Sequence, residues 1–135
     1  MRPSDCSKDY VKSATAKRDG NNYIITIVMK DQVNPSYDDL DGLARMSRGF
    51  IDYKDVVDAV ETDGYAVSKI VKSTDSTITY KDYTIVATMN AKGQFVSIEH
   101  YYRADFEGDI TLTEHGTTAF SGACNFRASY YDFKY

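Results

Sequence analysis

The stretch "FVSIEHYYRADF", residues 95–106, sets Glu99, His100, Tyr101, Tyr102 and Arg103 in direct succession. A carboxylate beside an imidazole is the minimum equipment for proton transfer. On a strand, however, neighbouring side chains point to opposite faces, so Glu99 and His100 cannot form a hydrogen-bonded dyad with each other. An acid/base enzyme built on His100 or Glu99 would need a carboxylate supplied by a different strand. The only other histidine, His115, sits in "EHGT", the expected tip of a hairpin, where an exposed turn residue is the simpler role. No residue is therefore assigned to catalysis.

The remaining reactive groups point the same way. Cys124 in "SGACNF" lies in a strand pattern, without the helix N-terminus or cationic surroundings that lower a thiol pKa, and no G-x-S-x-G motif is present. Cys6 and Cys124 have no metal-ligand spacing; they are either two free thiols or, in an oxidising compartment, a disulfide tying the first strand to the last. In "YDDLDG", Gly42 would take the sixth position of a calcium loop and Asp39 and Asp41 the third and fifth. The first position is then Tyr37 and the twelfth Arg48, so that geometry fails and no metal is expected. No glycine-rich loop joins a strand to a helix, and no cofactor is implied.

Bulk properties remove further classes. The net charge is -4 and the 16 basic residues are scattered, so nothing favours a phosphate backbone and nucleic acid is not expected as a partner. At 42% hydrophobic and 27% charged, the chain has ordinary globular usage. No apolar run approaches the roughly 18 residues of a transmembrane helix. The opening "MRPSDCSKDY" carries no apolar signal-peptide core. Its abrupt start and the aromatic strand at its end suggest one domain, residues 1–135, excised from a longer chain.

The elements that would position these groups follow from periodicity. Residues 10–30 read as two strands around "KRDGNN", with both faces of the second largely apolar, as in a central strand. "QVNPSYDDLDGL" ends that strand at Pro35 and starts a helix capped by Ser36; a second helix follows from Asp52 to the Asp63-Gly64 stop. Period-two alternation then gives candidate strands at 66–71, 76–80, 83–90, 94–104, 109–114 and 118–133, with turns at "STDS", "YKDY", "NAKG", "FEGD" and "EHGT". The expected fold class is α+β: a strongly curved antiparallel sheet of six or seven strands, ββαα then a β-meander, wrapped around a two-helix layer.

The "NAKG" turn decides which face each residue of residues 95–106 occupies. A type I turn with a glycine bulge groups Tyr83, Ile85, Ala87 and Met89 with Phe95, Ser97, Glu99 and Tyr101. A two-residue Lys92-Gly93 turn groups them instead with Val96, Ile98, His100 and Tyr102, the cleaner binary pattern. The turn chemistry favours the bulge. Twelve tyrosines and no tryptophan supply half-buried strand surfaces. If the sheet's concavity holds a pocket, Tyr37, Tyr83, Phe95 and Tyr101 would line it.

The text "GNNYIITIVMKDQVNP", a helical segment, and then "ITYKDYTIVATMNAKGQFVSIEHYYRADF" resembles a domain of unknown function from secreted or surface-attached proteins of Gram-positive, often gut, bacteria. The strand and helix order is also similar to the open curled sheet of lipoprotein-carrier-like envelope proteins. The resemblance rests on strand-and-turn rhythm and implies an extracytoplasmic location and an apolar ligand, and no specific site residue. The expected function is a non-catalytic binding or interaction module. The alternatives are a carrier or sensor of a hydrophobic small ligand and, after it, the acid/base enzyme.

Overall fold

A computed structural model describes residues 8–35, 70–112 and 116–135. Both expected helices, and with them Tyr37, the "YDDLDG" acids and His115, lie outside these residues, as does Cys6. Among the described residues there is no α-helix: apart from a 3-10 turn at Lys8–Tyr10, all regular structure is strand. Among the described residues the expected α+β class with a two-helix layer is thus corrected to an open antiparallel sheet of six strands.

The strands are β1 (Val11–Asp19), β2 (Asn22–Met29), β3 (Gln32–Val33), β4 (Ile70–Asn90), β5 (Phe95–Leu112) and β6 (Gly116–Tyr130). They lie in the order β1-β2-β4-β5-β6, with β3 pairing separately to β4. β2 is central, as its two apolar faces require. The β1–β2 hairpin closes on Gly20 and Asn21, with Asp19 opposite Asn22 and Gly20 at φ 58, a conformation glycine adopts without penalty.

Three expected turns are absent because the strands run through them. "STDS" and "YKDY" become register irregularities inside the 21-residue β4, between Thr74 and Thr77 opposite β5 and between Lys81 and Thr84. Asp82 sits at φ 55 in the second of these, so its turn-forming tendency is absorbed as a bulge. "FEGD" is regular strand, with Phe106 through Asp109 paired to Gly122 through Ala119. Polar residues that look like loop punctuation here lie within continuous strand pairing.

The "NAKG" turn is the three-residue form with a left-handed glycine: the Gly93 N–H donates to the Asn90 carbonyl at 2.9 Å, and Gly93 has φ 77. A second irregularity follows between Thr88 and Met89, where Met89 faces Phe95 but Thr88 faces Ser97. This extra residue reverses what the turn alone would give. Ile85 consequently opposes His100, and Ala87 opposes Ile98.

Directly paired residues project to the same side. One face therefore carries the rows Ile25, Ala87, Ile98, Tyr130 and Ile27, Ile85, His100, Ala128, continuing to Tyr102 with Phe126 and to Tyr80 with Ala104. The other carries Thr26, Val86, Glu99, Ser129 and Val28, Thr84, Tyr101, Arg127. The first face holds the core: Met29, Ile78, Tyr80, Tyr83, Tyr102 and Ala104 are buried together, with Tyr10, Val11, Phe106 and Phe126 against them. Burying each large side chain of this set contributes about 1.5–3 kcal/mol.

Candidate functional site

His100 belongs to the core face. It is 7% exposed, its Nδ1 lies 3.3 Å from the Tyr83 hydroxyl, and its Nε2 lies 3.4 Å from the Tyr130 hydroxyl. Its ring stacks on Tyr130 at 5.7 Å and meets Phe126 at 5.5 Å and Tyr83 edge-on at 5.9 Å. Burial in this aromatic setting pushes the imidazole below its ordinary value of 6.5, so the neutral ring is favoured. A neutral ring between two phenols can accept from one and donate to the other. This arrangement positions side chains and, among the described residues, presents no carboxylate to the imidazole.

Glu99 is on the opposite face. Its carboxylate takes two hydrogen bonds from Arg127 Nη2, at 2.7 and 2.8 Å, and a longer one from Ser129. The guanidinium is correspondingly held above its ordinary range by that hydrogen bond and charge. Six residues along β5, Asp105 accepts from Lys81 Nζ and Arg103 Nε. Those two bonds, Lys81 first, hold the Asp105 carboxyl below the usual carboxylate range and raise both cations. Glu99 and Asp105 are thus each matched by a cation already in place.

Beside these pairs runs an open groove of about 620 Å³, lined chiefly by Asp82, Val86, Glu99, Tyr101, Arg103 and Arg127. Its rim is charged but internally neutralised. That suits water or a polar chain better than a free anion. Among the described residues no group of three or more His, Cys, Asp and Glu side chains converges as metal ligands.

A different surface is aromatic. The β1–β2 and β4–β5 turns and the C-terminal tail lie at one end of the sheet, because Asn22 pairs with Asn90 and Tyr130 with Ile98. There Tyr23, Phe95, Val96, Tyr130, Tyr131 and Tyr135 are all exposed, Tyr135 at 71%. The tail is fastened rather than loose: the Tyr135 hydroxyl donates to the Phe95 carbonyl at 2.9 Å, and Phe133 packs between Phe95 and Tyr135. The left-handed Asp132, at φ 58, provides the bend.

The residues expected to line a pocket are not brought together. Tyr83 is core at 2% exposure, Phe95 belongs to the aromatic end, and Tyr101 lies on the charged face beside the groove. Cys124 is a free, exposed thiol on β6. Sequence reasoning missed Arg127, which gives no local signal because its partner is 28 positions away. It also passed over the tail "YYDFKY", whose four aromatics in six residues were the available clue.

Comparison of the chain with protein-family models, with curated proteins and with solved structures finds no match.

Proposed function

We propose that this chain is a non-catalytic binding module that meets a partner through the aromatic end of its sheet, and that it serves a bacterial secreted or envelope protein. One observation carries the binding part: exposed Tyr and Phe side chains gather at one end of the sheet, where the tail is held by its contacts to Phe95. Rigid aromatic side chains with polar tips give large contact area at low entropic cost, which is why binding surfaces are enriched in them. The extracytoplasmic setting is drawn from the resemblance of the strand rhythm alone. Against the acid/base alternative stand the hydrogen bonding of His100 to the Tyr83 and Tyr130 hydroxyls and the engagement of Glu99 by Arg127.

The experiment is co-sedimentation with isolated Gram-positive cell walls and with their surface-protein extract, comparing the unmodified chain with a Tyr131→Ser, Phe133→Ser, Tyr135→Ser variant. The expected result is binding by the unmodified chain and at least tenfold weaker binding by the variant, at an unchanged melting temperature. Equal binding by both, or none by either, would remove the proposal. The hydrophobic-ligand reading would instead place its ligand in the groove beside Tyr101 and be insensitive to the tail substitutions.

A further inference from the structure

The two edges of the sheet are built differently. Edge strand β1 carries Lys12, Lys17, Arg18 and Asp19 in nine residues and a register irregularity between Val11 and Ser13. Charges, lysine above all, and bulges are devices that keep an edge from pairing with another chain. β6 has neither. Over its 15 residues it contains one charged side chain, Arg127, no proline, and no break in its pairing to β5. Nearly all of it is exposed, and among the described residues it pairs with no other strand on its outer side.

We propose that β6 pairs antiparallel with β6 of a second copy about a two-fold axis at Ala123, joining two sheets into one of twelve strands. Full overlap of Gly116–Tyr130 with itself places the axis there, so residues whose numbers sum to 246 oppose each other. Phe120 then faces Phe126 of the second copy, and both lie on the aromatic side because even-numbered residues meet even-numbered ones. The single charge, Arg127, faces Ala119, so no like charges meet. A strand of this length at about 3.4 Å per residue, through a sheet about 10 Å thick, buries on the order of 500 Å² per copy, about 1,000 Å² in all. That meets the lower threshold of about 1,000 Å² for a biological interface. The axis leaves the aromatic ends at opposite extremes of the joined sheet, free to engage two partner sites at once.

The register makes opposite demands on one position. In its own sheet Ala119 faces Asp109, whereas in the pair it faces Arg127 of the second copy. Ala119→Lys therefore favours the folded chain and opposes the dimer, and Ala119→Glu does the reverse. Sedimentation over a micromolar-to-millimolar series measures both, with thermal melting as the control on folding. The expected result is a dimer whose Kd rises about two- to thirtyfold for Ala119→Lys, each contact occurring twice by symmetry, without loss of melting temperature, and falls for Ala119→Glu. A chain monomeric at every concentration, or a dimer indifferent to both substitutions, overturns the proposal. A second readout leaves position 119 untouched and uses a Cys6→Ser background. Cys124 sits diagonally from Cys124 of the second copy at about 7–8 Å, too far for a disulfide but within reach of a short bis-maleimide. Cross-linking by that reagent supports the register, and ready oxidation to a disulfide dimer without it overturns the register.

Discussion

Tyr101 and Tyr102 are chemically identical neighbours assigned opposite fates by the register of β5, and replacing each by alanine tests that assignment. Tyr102 is 5% exposed, and its ring lies 4.9 Å from Phe126 in a stack and 5.1 and 5.8 Å from Tyr80 and Tyr83 in edge contacts. Truncating a buried aromatic costs about 3–5 kcal/mol, and three ring contacts at about 0.5–1.5 kcal/mol each push the expectation to the upper part of that range. Tyr101 is 39% exposed on the charged face, where substitutions cost about 0.5 kcal/mol. Urea unfolding with the m-value monitored separates the two, since a change in m would signal altered compactness rather than lost packing. Losses that are equal, or larger for Tyr101→Ala, would refute the register and with it the placement of His100.

Other perturbations address single contacts. The Asn34 side-chain oxygen accepts the Ile78 N–H at 2.8 Å while Asn34 itself sits at φ 48, so Asn34→Ala should cost about 2–3 kcal/mol in urea melts and Asn34→Gly less, because glycine tolerates that backbone. Gly93→Ala meets no neighbouring atom and should cost about 1–2 kcal/mol by backbone conformation alone, a loss that Gly93→Asn partly recovers on thermal melting. Because burial lowers the His100 pKa in the folded chain, the unfolded chain takes up that proton first as pH falls through 6.5. Stability should therefore decline below that pH, and His100→Gln should flatten the decline when urea midpoints are compared between about pH 7 and pH 5.

Local chemistry made some of this fold legible. Gly20 and Gly93 marked two hairpins, the apolar faces of β2 marked a central strand, and "NAKG" declared its bulged turn. The face of His100 was not legible, because a second irregularity at Thr88 and Met89 cancels the parity set by the turn. The cleaner hydrophobic alternation had the right face while the turn cue had the right turn. Nor could the sequence show that "YKDY" bends a strand without ending it, since Asp82 at φ 55 satisfies a turn-forming residue inside a continuous ladder. Of the candidate site, the tyrosine supply was visible in the composition. Its location at one end depends on long-range pairing that brings Tyr130 to Ile98 and Tyr135 to Phe95.

The separation of Glu99 from His100 is the claim on which the structural reading of residues 95–106 rests, and NMR titration of the His100 ring tests it most directly. His100→Gln identifies the resonance. The expected midpoint lies below 6.5 and does not move in Glu99→Gln, because the imidazole is buried among phenols on the face opposite the carboxylate. A midpoint above 6.5, or one that falls when Glu99 is neutralised, would place a carboxylate beside the imidazole and contradict the account.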